Sequence, residues 1–353
     1  MNPAMTPHPG VPNESTKMFA EAGEAAEAVE RQLAANAGAV DALAARLRAQ
    51  PPGFIVTCAR GSSDHAATFA KYLFETHLGL VTASASPSIA SVYAVEPRMR
   101  GALFIAISQS GRSPDLLRNT DLAREAGACV IVLVNKEDSP LAQLADHVIP
   151  LRAGAETSVA ATKSYLCSLS ALLQLAARWS EDDELSQALR ALPAAMREAW
   201  AMDWSPLVDG LRDARDLFVV GRGLGLSAAQ EAALKLKETC GLHAEAFSSA
   251  EVMHGPMAIV GKDFPVLAFV QDDDSGRSTL EIAKEFRARG ARVWLAQPGK
   301  RARDHLPLPS SPHPACTPLL AATAFYRAAN ALSLARGLDP DVPPYLNKVT
   351  ETV

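Results

Sequence analysis

Glu231, Lys235 and Glu238 carry the first chemical signal in this chain. Within Ser227–Cys240 they recur at i, i+4 and i+7, so a helix gathers them on one face, opposite Ala229, Ala232, Ala233, Leu236 and Cys240. A carboxylate with an ammonium one turn away can move a proton between adjacent carbons of an open-chain sugar. The same spacing suits a salt-bridged face turned to solvent, and the local sequence leaves both readings open. A second signal is the turn Ser108-Gln109-Ser110-Gly111-Arg112-Ser113, which follows an apolar run and precedes Pro114. Donors from Ser108, Gln109, Ser110 and Ser113, a tight turn at Gly111 and the unpaired N–H groups of a new helix would cradle a phosphate. An ordinary strand-to-helix turn, with Ser113 as N-cap and Pro114 at the first helical position, is the alternative.

His254 follows Ser248-Ser249-Ala250-Glu251, a capping box expected to open a short helix ending near Met253. An imidazolium at that helix end could protonate a ring oxygen; a plain surface histidine is the other reading. Lys348 is the lysine of the tail Leu346–Val353. Desolvated, it could form a Schiff base with a carbonyl; otherwise it decorates the surface. His243-Ala244-Glu245 is too short a pattern to claim a metal, and neither metal nor cofactor is expected. The turn Gly221-Arg222-Gly223-Leu224-Gly225 invites a dinucleotide reading. Its third glycine comes one residue early, and His243–His254, where a second strand should run, does not read as one.

Positioning these residues requires alternating strands and helices. Phe54–Ala59 reads as a buried strand, Arg60–Ser63 as a turn, and Asp64–Leu78 as a helix closed by Gly79. Leu103–Ile107, the serine-rich turn, a helix Pro114–Ala126 and a strand Cys129–Val134 continue the pattern. A short strand Val148–Leu151 and a long apolar helix to about Trp179 follow, and a second alternation starts at Leu217–Val220. Such βαβ units imply an α/β fold, with parallel sheets flanked by helices on both faces. The expected boundaries are residues 1–50 for a flexible N-terminus and surface helices, 51–185 for a first domain, 186–206 for a helical connector and 207–353 for a second domain.

The halves resemble each other. Cys58–Ser63 aligns with Val220–Gly225, Ser110–Ser113 with Ser275–Ser278, and Gly127–Ile131 with Gly290–Trp294, which suggests an internal duplication. Asp272, Asp273 and Asp274 precede the second turn and would repel a phosphate, so the first copy is the expected anion site.

Composition narrows the function classes. The 353 residues carry a net charge of −5, which offers no basic footprint for nucleic acid. Five scattered cysteines form no CxxC pair and read as buried free thiols rather than a zinc site or disulfide framework. No run is apolar enough to span a membrane and Met1–Ser15 lacks a signal pattern, so a soluble, cytoplasmic protein is expected, with residues 1–15 disordered.

Five motifs in order then carry a resemblance: Ser108-Gln109-Ser110-Gly111, Val159-Ala160-Ala161-Thr162-Lys163, Ala233–Glu238, His243–Ala246 and Glu251–Pro256. From about Met18 to Val353 the chain resembles the tandem sugar isomerase (SIS) domains, in particular the isomerase half of glutamine:fructose-6-phosphate aminotransferase. The resemblance implies two SIS domains, each a five-stranded parallel sheet in a three-layer, flavodoxin-like αβα arrangement. It implies that Ser62, Ser63, Ser108, Gln109, Ser110 and Ser113 hold a sugar 6-phosphate and hydroxyls, with Val159 and Ala161 at the sugar. Glu238 would shuttle the proton between C1 and C2, assisted by Lys235. His254 would open the ring from a partner subunit, and Lys348 would be the Schiff-base lysine, so a homodimer with a shared active site is implied.

Three positions depart from the family pattern: Ser113 replaces a threonine, Arg112 a glutamate and Ala161 a serine. With only about 50 residues before the first strand, no glutamine-hydrolysing domain is expected. Deamination of an amino-sugar phosphate, such as glucosamine 6-phosphate to fructose 6-phosphate and ammonia, is the expected activity. A synthase fed by external ammonia and a non-catalytic sugar-phosphate regulator are the alternatives.

Overall fold

The computed structural model describes residues 13–93, 95–299 and 304–348. The disorder expected at the N-terminus falls chiefly on residues 1–12, outside this set, as do residues 349–353 of the tail; Asn13–Ser15 forms a turn of 3-10 helix. The chain divides into two compact units. One comprises Glu27–Glu156 and Lys163–Arg190; the other comprises the stretch ending at Ala26, Thr157–Thr162 and Ala191–Lys348.

The first unit holds β1 (Phe54–Cys58), β2 (Thr82–Ser84), β3 (Ala102–Ser108), β4 (Cys129–Val134) and β5 (His147–Pro150), all parallel in the order β2-β1-β3-β4-β5. Every residue of the central strand β3 is buried, which is why its sequence is an unbroken apolar run rather than an alternation. Val56, Phe104, Val130 and Val132 face helix Pro114–Glu125 through Leu116 and Ala123 in one core cluster. The short edge strand β2 and the helix Pro87–Ser91 were not legible in the sequence, because three residues are too few to show a period.

The second unit holds β6 (Asp216–Gly221), β7 (His243–Ser248), β8 (Pro265–Phe269), β9 (Arg292–Pro298) and β10 (His305–Leu308), again parallel, in the order β10-β9-β8-β6-β7. Counted from β7, this is the winding of the first sheet, the flavodoxin-like order. The duplication is therefore real at the level of topology. Two sequence expectations are corrected. His243–Ser248 is a strand, paired with β6 from Asp216↔His243 to Gly221↔Ser248. Its sequence does not read as a strand because an edge strand with His243 and Glu245 exposed lacks an apolar run. And Ser275–Ser278 is not a turn: Cys58 pairs with Ala106 and Val220 with Ala268, so the counterpart of Ser108 is Val270, while Ser275–Ser278 lies inside helix Asp274–Ala288.

All five cysteines are free; Cys58, Cys167, Cys240 and Cys316 are buried and Cys129 half-buried. Burial pushes the Cys58, Cys240 and Cys316 thiols up to about 12 and raises those of Cys129 and Cys167 as well. Thiolate, the reactive form, is therefore scarce at about pH 8. Ellman titration of the native protein at that pH is expected to show slow reaction of Cys129 alone, and five thiols after denaturation. Rapid reaction of several thiols in the native state would contradict this packing. Among the described residues no helix is long and apolar enough to cross a membrane.

Candidate active site

In the first unit the chain leaves β1 toward β2 on one side and β3 toward β4 on the other. The crevice between β1 and β3 is thus the topological switch point, where open α/β sheets bind ligands at the strands' carboxyl ends. The pairing Cys58↔Ala106 sets the exits of these two strands side by side. Ser62 and Ser63, which open helix Ser62–Leu78, and the Ser108–Ser113 turn therefore share one edge of the sheet. Ser108 is buried and its Oγ accepts the Gly111 N–H at 2.9 Å, which closes the turn. Gln109, Ser110 and Ser113 stay half-exposed and Arg112 is exposed. Ser113 is the N-cap of helix Pro114–Glu125, yet its side chain makes no capping bond, so that hydroxyl is not used up by the helix. The second unit differs at this point. There Asp273 caps helix Asp274–Ala288, its carboxylate accepting the Ser275 N–H at 2.8 Å, so the chain's own acid holds the place an anion would take.

Gly111 cannot carry a side chain: its φ is +64°, and a Cβ would collide with the buried Ser139. Gly111→Ala is expected to cost about 1–3 kcal/mol of stability and to weaken phosphosugar binding at least about tenfold, read by thermal melting and calorimetry. Unchanged binding would remove the turn from the site.

In the second unit, helix Gly225–Cys240 decides between the two readings of its polar face. The Lys235 and Glu231 side chains are 1% and 0% exposed, so this face is not a solvent face. Lys235 Nζ lies 2.5 Å from Glu238 Oε2 and 3.5 Å from Glu231 Oε1. Tyr326, on helix Thr317–Ala335, donates its hydroxyl to Glu231 Oε1 at 2.9 Å. One ammonium thus lies within ion-pair distance of two carboxylates. Glu231 is enclosed, whereas Glu238 keeps 23% of its side chain exposed. It borders a cavity of about 820 Å³, also lined by Arg215, Lys237, Val342, Pro344 and Leu346, in the size range of small-molecule sites. Half-buried Lys348 follows two residues after Leu346.

Val159 and Ala161 lie in a loop of the same unit, half-exposed. Glu21 pins it: its carboxylate accepts the Thr157 N–H at 2.5 Å, the Thr157 hydroxyl at 2.9 Å and the Ser158 N–H at 3.1 Å. Glu21 lies in the stretch expected to form surface helices, yet it is 7% exposed. Nothing local could have revealed this, since its partners lie more than 130 residues away. The capping box at Ser248 does not form. Ser248 ends β7, its Oγ accepts the Ala250 N–H at 3.3 Å, and Glu251–Met253 is a 3-10 turn rather than a helix. His254 stands exposed after it and is not among the residues lining the Glu238 cavity.

With this geometry in view, the chain belongs to the SIS domain family, whose pattern matches residues 52–178 and 210–296, one segment in each sheet-bearing half. Among its relatives is glutamine--fructose-6-phosphate aminotransferase [isomerizing] of Methanothermobacter thermautotrophicus, 35% identical over 303 residues that cover 82% of this chain and 50% of that protein. The chain spans about half the length of the curated relatives it matches. A crystal structure from Silicibacter pomeroyi DSS-3, whose assignment as a phosphosugar isomerase is itself provisional, is 44% identical with a TM-score of 0.87, covering 92% of this chain and all of that one. The C-terminal domain of glucosamine-fructose-6-phosphate aminotransferase from Francisella tularensis is 26% identical with a TM-score of 0.84, covering 93% and 98%.

Proposed function

We propose that this chain is an amino-sugar phosphate deaminase/isomerase, acting on glucosamine 6-phosphate or a close relative. The observation that carries the reading is the Lys235–Glu238 contact: a carboxylate lining a cavity, held 2.5 Å from a buried ammonium. The Ser108–Ser113 turn, with Ser62 and Ser63, is assigned to the phosphate, and Val159 and Ala161 are assigned to the sugar. In the open chain, C1 is an aldehyde and C2 carries the amine. Glu238 removes the C2 proton and returns it to C1 while the Lys235 ammonium stabilises the enediol-like intermediate. The product is a 2-imine. His254 is assigned to ring opening, acting from a second copy of the chain, and Lys348 to the product imine: its amine adds at C2 and expels ammonia, and water then hydrolyses the C2 Schiff base to fructose 6-phosphate and the free lysine.

Incubation with glucosamine 6-phosphate should release ammonia and fructose 6-phosphate in equal amounts. No product at micromolar enzyme would sink the reading. A panel with galactosamine and fructosamine-type phosphates would set the sugar. The likeness to glutamine--fructose-6-phosphate aminotransferase favours a second reading, the same chemistry run toward synthesis from fructose 6-phosphate and ammonia. Amino-sugar formation in excess ammonium, with no measurable deamination, would select it.

A further inference from the structure

Arg60 lies two residues past β1, at the switch-point crevice, and neither its residue type nor its spacing drew attention in the sequence. Its Nε and Nη2 both donate to Asp115 Oδ2, at 2.8 and 2.6 Å. The other oxygen, Oδ1, accepts the Leu116 N–H at 2.8 Å. The Asp115 side chain is 0% exposed while that of Arg60 is 49% exposed. Asp115 is the second residue of helix Pro114–Glu125, directly after the serine-rich turn, so this pair ties the exit of β1 to the exit of β3. The helix end is itself held down, since Asn119 Nδ2 donates to the carbonyls of Asp115 and Pro87 at 2.8 and 2.9 Å.

The pair has a direction. A buried carboxylate needs a cation, but a guanidinium gripped along its Nε–Nη2 edge still has its Nη1 edge to offer. The orientation is fixed by Asp115, so little further side-chain freedom is lost when an anion binds. The turn otherwise offers hydroxyls, an amide and backbone N–H groups, plus exposed Arg112. A phosphate dianion is best matched there by an anchored guanidinium, which binds phosphate through two parallel N–H donors. Cys58, Asp64 and His65 are further titratable groups at this corner; burial raises both the Cys58 thiol and the Asp64 carboxyl.

We propose that Arg60 is a phosphate-contacting residue of this site, held in place by Asp115. This rests on the reading of the Ser108–Ser113 turn as a phosphate cradle. The test is calorimetric binding of glucose 6-phosphate and inorganic phosphate to the full chain carrying Arg60→Met, Arg60→Lys, Asp115→Asn, and Arg60→Met combined with Asp115→Asn. The combined variant removes the buried carboxylate together with its cation, so that it folds even where Arg60→Met alone does not. The expected result is at least a tenfold weaker Kd for Arg60→Met in both the parent and the Asp115→Asn background, with partial retention in Arg60→Lys. With an active preparation, KM should rise while kcat holds. Parent-like affinity in the combined variant would overturn the proposal and leave Arg60 as a counter-ion only. Absence of binding by the parent protein would instead overturn the cradle itself.

Discussion

Glu238→Gln is expected to lower kcat by about 10²–10⁴-fold while phosphosugar affinity stays within about threefold. The amide keeps the shape and can still accept from Lys235 Nζ, the 2.5 Å contact in the parent. What it cannot do is take the C2 proton. Because the side chain is 23% exposed at a cavity edge, the exchange leaves no buried group stranded, and the melting temperature should hardly move. Stopped proton transfer can be followed directly, as loss of deuterium exchange between C2 of the substrate and solvent. Equal losses of binding and stability would mean that the polar helix face is structural. Unchanged turnover would mean that another residue is the base.

The largest stability effect belongs to Lys235. Lys235→Met should cost about 3–5 kcal/mol, because it takes an ammonium from beside the fully enclosed Glu231 carboxylate, and the Tyr326 hydroxyl that also donates to Glu231 is neutral. Pairing the change with Glu231→Gln should recover much of that loss, since an uncharged, hydrogen-bonded pair carries no stranded ion. Activity should not return with it, because Glu238 has still lost the cation beside it. A thermal melt and a kcat measurement on the two variants separate these effects. Recovery of both would assign Lys235 to folding alone.

Much of this was written locally. The apolar runs at Leu103–Ile107 and Cys129–Val134 could be little but buried parallel strands, and Gly79 ended its helix where expected. Gly111 was legible because a left-handed turn leaves few choices of residue. The spacing of Glu231, Lys235 and Glu238 likewise placed them on a common face, since helical periodicity is a property of neighbours in the chain.

What covers that face is a different question. The solvent and functional readings differ only in whether something packs against it, and the answer is Tyr326, 95 residues on. The same limit hid Glu21 under Thr157 and Ser158, and Arg60 against Asp115. It hid β7, whose strand state comes from hydrogen bonds to β6 rather than from its own polar sequence. It also produced the false match of Ser275–Ser278 to the phosphate turn, which strand register alone could correct. The alternation of elements, their duplication and the residue types available for chemistry could be read along the chain, because they depend on local period and turn stereochemistry. Which charges are enclosed, which carboxylate opens to a cavity and which arginine is anchored emerged only on folding, because burial and pairing are set by residues far apart in the chain.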